Sequence, residues 1–337
     1  MSNSKPYTQI TEDIYQVQLP LPFALKIVNC YLLRGENGWT ILDTGLNTTL
    51  ARETWLQAFT ELGIKPNQIE QIVVTHYHPD HFGLAGWLQN WASENGTGVM
   101  PDVVMSDIDY ETARTIWWRD ESGMMGSWAD FWQACGVPKD TGEELLTHSN
   151  NTRELTLPLP SVVKTIQAGS VLKMGARRFN VLPAPGHTDG QIIFYDADGR
   201  LLLSGDHVLM KITPNIGLWP LTAPNPLGRY LHSLRELQAL DVQLALPGHR
   251  ALIRNWQERL EQLLVHHDER LDKMYNAVKD GHDTPYEVTK AVFRFNRLSS
   301  HEIRFAVTET SAHLVLLDEQ NRIQRRAVEG WQYEVST

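Results

Sequence analysis

The run His76-Tyr77-His78-Pro79-Asp80-His81 places two imidazoles at i and i+2 and sets a carboxylate and a third imidazole directly beyond them. Side chains of these types at this spacing bind metal ions. The segment before it, from Gln68 to Thr75, carries Ile69, Ile72, Val73 and Val74 and reads as a buried strand. Phe82 to Leu88, after it, has the apolar spacing of an amphipathic helix. The four candidate ligands therefore sit on a loop from strand to helix. From there His76 and His78 can converge on one cation while Asp80 and His81, one turn later, face a second beside it. The spacing predicts a two-metal site.

One loop cannot supply enough donors for two ions, so the rest must come from elsewhere in the chain. Three later strand ends carry suitable groups. Pro185-Gly186-His187-Thr188 follows the strand-like Phe179 to Leu182, and the glycine allows a sharp bend that presents His187 to the first metal. Leu201-Leu202-Leu203-Ser204-Gly205-Asp206 is an apolar run ending in a carboxylate, and Asp206 has an oxygen for each of two cations. Leu244-Ala245-Leu246-Pro247-Gly248-His249 repeats the pattern of strand, glycine and imidazole, so His249 closes the second set. A loop of solvated histidines is the plainer reading of residues 76–81, and these recurring partners weigh against it.

The motif His-x-His-x-Asp-His, followed in order by His187, Asp206 and His249, resembles the metallo-β-lactamase superfamily over most of the chain. The resemblance implies that His76, His78 and His187 bind one metal, that Asp80, His81 and His249 bind the other, and that Asp206 bridges them. Leu42-Asp43-Thr44-Gly45 also matches. The family uses such an aspartate to support a ligand histidine, although Asp, Thr and Gly at a strand end equally suit a plain turn. Asp206 stands where the commonest zinc β-lactamases carry a cysteine, which weighs against antibiotic hydrolysis. His78 stands where flavin-linked di-iron members use a glutamate, which weighs against oxygen or nitric oxide reduction.

The elements that must position these groups can be read around them. Asp13 to Leu19, Val28 to Arg34 and Trp39 to Asp43 read as successive strands, with Gly35-Glu36-Asn37-Gly38 as a hairpin turn. Thr49 to Leu62 reads as a helix with Trp55, Phe59 and Leu62 on one face. Strand-like runs at 162–166, 171–174, 178–182, 191–195 and 201–204 suggest a second strand-rich half. The fold class is α/β, and the resemblance implies a four-layer αβ/βα sandwich with the metal loops at one edge. Residues 107–160 read as a helical insertion rich in aromatics, including Trp117, Trp118, Trp128, Phe131 and Trp132. These side chains, with Trp87 and Trp91, either pack the core or wall the substrate cleft. The loop from Lys211 to Pro220 is expected to border the cleft.

Residues 1–255 are expected to form the catalytic domain and 256–337 a small α+β domain of winged-helix-like character. In that tail, Gln257 to Lys279 reads as a long helix, a short helix opens with Thr284-Pro285, Glu309 to Asp318 is a further helix, and a terminal hairpin follows. The pattern Glu309-Thr310-x-x-His313-Leu314 resembles the C-terminal domain of the lactamase-beta-2-like branch, some of whose members cut RNA. Arg322, Arg325 and Arg326 could touch phosphates, but Glu302, Asp318, Glu319 and Glu329 lie nearby in sequence, and a lid or dimer contact fits better. His207, His232, His266, His267 and His313 lack partners at ligand spacing and read as structural or solvated, with His207 placed to support Asp206.

A chain of 337 residues with 42% hydrophobic residues can bury a real core. Its 30 Lys+Arg against 40 Asp+Glu give a net charge of -10, which repels phosphate backbones at long range. Nucleic acid is thus not the expected partner; a small molecule with an apolar portion is. Cys30 and Cys135 form no Cys-x-x-Cys pair and read as free buried thiols of a reducing compartment. No stretch has signal-peptide or membrane-spanning character, so a cytoplasmic location without membrane attachment is expected, and a homodimer is compatible. Two divalent ions sharing a water would lower its pKa and supply a nucleophile, while Asp80 orients it and either a metal-bound water or Asp80 passes a proton to the leaving group. Zinc suits the ligands first, and iron or manganese also fit. The expected activity is metal-dependent hydrolysis of a small ester, lactone or thioester such as an acylated thiol cofactor. A phosphodiesterase or ribonuclease is the first alternative, and a non-catalytic nucleic-acid-binding regulator the second.

Overall fold

The structure, a computed structural model, describes residues 5–22, 25–118, 122–147, 150–326 and 330–336. Strands form where β-branched and aromatic side chains lie between turn residues. β1 (Tyr7–Gln9), β2 (Ile14–Pro20), β3 (Ile27–Arg34) and β4 (Trp39–Leu42) make an antiparallel meander, with Gly35 to Gly38 closing the last hairpin. α1 (Thr49–Leu62) starts where the Thr48 side chain accepts the Ala51 N–H and ends at Gly63 in the left-handed region. It returns the chain to β5 (Ile69–Val73), parallel to β4. The metal-motif loop then enters the single turn α2 (Pro79–Phe82) and α3 (Ala85–Glu94). The helix expected over 82–88 is thus two pieces, the first opened by Pro79 with its helix-compatible φ. β6 (Asp102–Ser106) lies parallel to β5.

The segment after β6 is helical: α4 (Asp107–Ala113), a π-helical stretch at Arg114–Trp118, α5 (Ser122–Ala134) and α6 (Lys139–Thr147). One expectation fails directly after it. β7 (Val163–Ile166) does not belong to the second half; it pairs parallel with β6 at the edge of the first sheet. Four residues, half-buried at both ends and exposed at the two central positions, carry no mark of which sheet they join, and the crossover through the insertion delivers them to the edge beside β6.

β8 (Val171–Met174), β9 (Arg177–Pro183), β10 (Ile192–Asp196) and β11 (Leu201–Gly205) form the second sheet as a meander. α7 (Pro226–Leu237) crosses back to β12 (Leu244–Pro247), parallel to β11. Ile14, Tyr31, Leu33, Val73, Phe179, Phe194 and Leu203 fill the space between the two sheets. Trp55, Phe59 and Leu88 seal the helices against the first sheet, and Tyr230, Leu234, Leu260 and Leu317 seal helices against the second. Helix, sheet, sheet and helix therefore stack in four layers.

α8 (Trp256–Lys279), α9 (Pro285–Val292) and α10 (Ser300–Glu319) precede an antiparallel hairpin of β13 (Ile323–Arg325) and β14 (Tyr333–Val335). α10 begins well before Glu309, because Ser299 and Glu302 form a reciprocal capping box. Buried faces of α8 and α10 share one apolar core with α7 and the second sheet, so this unit thickens the helical layer behind that sheet. No helix among the described residues is long and apolar enough to cross a membrane. Cys30 and Cys135 are buried and unpaired with each other, as expected.

Candidate metal centre

The seven predicted ligands, scattered from residue 76 to residue 249, meet at one edge of the sandwich. His76, His78 and His187 form one group with donor atoms within 4.8 Å of one another, Asp80, His81 and His249 form another, and His76, His81 and Asp206 link them. His78 Nδ1 stands 2.9 Å from His187 Nε2. Asp206 turns Oδ1 to His81 Nε2 at 3.4 Å and Oδ2 to His249 Nε2 at 3.3 Å and His187 Nε2 at 3.7 Å. Asp80 Oδ2 lies 3.2 Å from His249 Nε2. Strand ends supply most of these side chains: β5 precedes His76 and His78, β9 leads to His187, β11 ends just before Asp206 and β12 just before His249. Asp80 and His81 ride on the turn α2.

The backs of the imidazoles are tied down. His81 Nδ1 donates to Asp43 Oδ2 at 2.9 Å, His187 Nδ1 to the Asn215 carbonyl at 2.9 Å, and His249 Nδ1 to the Ile27 carbonyl at 2.8 Å. Thr75 Oγ1 donates to Asp43 and lies 2.9 Å from His76 Nδ1, so its oxygen is free to accept from that ring. Each outer nitrogen thereby carries a proton, and each Nε2 is the ring atom turned inward. Several inward atoms have no partner: His76 Nε2, His81 Nε2, His249 Nε2 and Asp206 Oδ1 are buried without a hydrogen bond. Buried polar atoms are normally satisfied, and a convergent set of orphans made of imidazole and carboxylate donors fits divalent cations. Asp43 therefore both makes the turn, with φ 55°, and holds the His81 ring in place.

Two glycines make room. Gly186 has φ 129°, a backbone few other residues adopt, and turns His187 toward the cluster. A Cβ on Gly248 would stand 2.4 Å from Asp206 Oδ1 and 2.6 Å from His81 Cε1.

Electrostatics divides the cluster into two. Burial, reinforced by neighbouring imidazoles, pushes His76 well below the usual histidine range and His78 down to about 3, so both are neutral donors. Around His81 and His249 burial acts the same way, but Asp206, Asp43 and Asp80 outweigh it at His81, and Asp206 and Asp80 raise His249 to about 10. Burial opposes the charge of Asp80, while His81 and His249 hold its carboxyl down to about 2. The pocket is built to keep positive charge between its carboxylates.

A model of the metallo-beta-lactamase superfamily matches residues 24–106 and 125–249, more than half of the chain. The chain belongs to the metallo-beta-lactamase superfamily. A second model, the metallo-beta-lactamase-like C-terminal domain, matches residues 271–334. A metallo-beta-lactamase family protein from Thermus thermophilus is 32% identical, with a TM-score of 0.83 over 97% of this chain and 100% of that one. A beta-lactamase domain protein from Burkholderia ambifaria is 28% identical, with a TM-score of 0.87 over 100% of this chain and 96% of that one. The probable metallo-hydrolase YqjP of Bacillus subtilis (strain 168) is 29% identical over 93% of this chain and 94% of its own length. The acyl-coenzyme A thioesterase MBLAC2 of Bos taurus is 23% identical over 53% of this chain and 58% of its own length. This metallo-beta-lactamase superfamily member is a metal-dependent hydrolase.

Around this cluster, other expected residues settle differently. Trp87 and Trp91 join Phe59 and Trp55 in a stacked aromatic ladder between α1 and α3, so they are packing residues. Trp117 is buried and its indole donates to the Tyr77 carbonyl at 3.1 Å, beside the ligands. Trp128 packs on Trp219 of the 211–220 loop, while Phe131 and Trp132 pack with Tyr286 and Val307; the side chain of Trp118 lies outside the described residues. The 211–220 loop does reach the site, through the Asn215 carbonyl on His187. His207 contacts Ser233, His267 contacts His313, and His232 faces Glu236 at the surface. Sequence reasoning missed Asn29 and Tyr31 on β3, which donate to the Pro247 carbonyl at 3.0 and 2.7 Å and hold the His249 loop against the first sheet. A polar Asn29 inside an apolar strand was the available signal. It also missed Asp109.

Proposed function

We propose that the chain uses a binuclear metal centre to hydrolyse a small ester, lactone or thioester with an apolar portion, acyl thioesters first among them. The observation that carries the reading is the convergence of seven ligand-type side chains, several with inward atoms buried and without partners while the outer nitrogens are fixed. His76, His78 and His187 would hold one ion, Asp80, His81 and His249 the other, with Asp206 between them. Zinc fits these donors best. Divalent ions held there supply Lewis-acid polarisation of the scissile carbonyl and acidify a water.

The protein side chains do the rest. Asp80 is 18% exposed against 8% for Asp206, so it is the cluster carboxylate that entering water and the leaving group can reach. Held ionised, Asp80 orients the attacking water, takes its proton and returns it to the leaving oxygen or sulfur. An exposed aliphatic side chain beside the cluster supports an apolar substrate arm: Ile27, whose carbonyl holds His249, is 42% exposed. Similarity to a protein named as an acyl-coenzyme A thioesterase points the same way. Against a phosphodiester substrate, Arg322 and Arg326 are paired with Asp272 and Asp283, and Arg325 lies over Trp331.

Chelator-stripped protein reloaded with zinc or manganese should turn over acyl thioesters or aryl esters, and His76→Ala or Asp206→Ala should remove that activity. Metal-dependent cutting of single-stranded RNA with no ester, lactone or thioester turnover would reverse the ranking of substrates. Activity untouched by both substitutions would end the metal account.

A further inference from the structure

Tyr77 lies between the ligands His76 and His78, and both halves of its backbone are held by the segment that follows β6. Its N–H donates to Asp109 Oδ2 at 3.1 Å, and its carbonyl accepts from the Trp117 indole. The same carboxylate reaches the other ligand loop. Thr188, directly after His187, donates from Oγ1 to Asp109 Oδ2 at 2.7 Å, and the Gly190 N–H donates to Oδ1 at 2.8 Å. Asp109 itself is set by the first turn of α4, where Ser106 Oγ accepts its N–H at 3.1 Å.

Asp109 is fully buried, and its carboxylate bonds to the ligand loops rather than to the ligand side chains. A carboxylate removed from water is costly unless its lone pairs are used, and three donors from two loops far apart in sequence use them here. Burial nonetheless pushes its carboxyl up to about 7. An aliphatic side chain would fill the same space but leave the Tyr77 and Gly190 N–H groups without an acceptor, so the residue is there for its bonds rather than its bulk. What does need explaining is how His78 and His187, from separate loops, are kept 2.9 Å apart. The two rings are at hydrogen-bond distance, but an ion held by both nitrogens would take the place of that bond, and the spacing would then have to be kept by the loops that carry them. Asp43 works within one loop, on Thr75 and His81; Asp109 joins two.

We propose that Asp109 is a positioning residue that fixes the His76–His78 segment against the His187 segment and so sets the affinity of the first metal position. The proposal rests on the metal-centre reading above. It separates the two positions, because the bonds of the Asp109 carboxylate go to the loops of the first group and not to Asp80, His81 or His249.

The test is metal uptake, read without turnover. Chelator-stripped wild type, Asp109→Ala and Asp109→Asn are titrated with zinc against a chromophoric chelator, and with cobalt so that the visible spectrum reports each position. Wild type should take up two ions. Asp109→Ala should keep one at wild-type affinity and bind the other about 10–100-fold more weakly, the usual effect of removing an outer support. Asp109→Asn should fall between, since an amide oxygen can still accept from Tyr77 and Thr188 while its NH2 faces the Gly190 N–H. Should Asp109→Ala fail to fold, Thr188→Val removes one bond of the three and should weaken the same position by several-fold. Unchanged affinity at both positions, or equal loss at both in a folded variant, overturns the proposal. Wild type that takes up neither ion overturns the metal-centre reading itself, and no variant is needed to see it.

Discussion

Asp43 is a carboxylate at the hub of the ligand loop: it accepts from the Thr75 N–H and hydroxyl and from His81 Nδ1, and through Thr75 it orients His76. Its left-handed backbone tolerates asparagine, so Asp43→Asn isolates the charge from the turn. That variant should bind zinc about tenfold more weakly or worse, measured by chelator competition. Gly248 gives a second prediction at this scale. Gly248→Ala drives a methyl into Asp206 Oδ1 and His81 Cε1, and a displaced ligand set should cost about a hundredfold in kcat/KM with the circular dichroism spectrum unchanged. The side chains that converge were legible from the sequence because each lies at a short local motif. The residues behind them were not: Asn29 meets Pro247 across 218 positions, and Asp109 meets Thr188 across 79. No spacing rule connects such pairs.

Elements hold the site only if their ends and their partners are fixed. α10 supports the 211–220 loop, since the Thr308 carbonyl accepts the Leu218 N–H at 3.0 Å and the Phe305 carbonyl the Asn215 amide at 3.4 Å. Ser299→Ala removes the capping box of that helix and should cost about 1 kcal/mol in urea denaturation. The two sheets are pinned by Arg177 of β9, which reaches Asp13 at the start of β2 with two bonds of 2.7 Å and Asp196 of β10 at 2.8 Å. Burial alone would raise the Asp13 carboxyl, but Arg177 and Thr11 hold it below 3.8. A carboxyl depressed in the folded state stabilises above its unfolded pKa, and the contribution is lost as pH falls through the folded value. The stability gap between wild type and Asp13→Asn should therefore be constant near pH ~6 and shrink below about pH 4, seen in denaturant midpoints. Helix and strand identity came through from periodicity, whereas membership did not: β7 reads as a strand wherever it goes, and only its parallel pairing with β6 assigns it.

At the scale of the whole molecule, the apolar face of α7 and the second sheet is closed by α8 and α10 in one continuous core. Unfolding should follow that core as one calorimetric transition rather than two. Leu317→Ala, at a site with no exposure, should destabilise the fold by about 2–5 kcal/mol, and two separated transitions would contradict the shared core. The sequence by itself determined the chemistry: imidazoles and carboxylates at strand ends, in the order and spacing of a metal-binding sandwich, because strand, turn and ligand are all local features. The tertiary structure alone decided how tightly that chemistry is held. Which sheet β7 completes, that Trp87 and Trp91 pack α1 instead of lining a cleft, and that Asn29, Tyr31, Asn215 and Asp109 brace the ligand loops all depend on contacts between distant segments. Those contacts form only once the layers close, when buried polar atoms must find partners wherever packing has brought them.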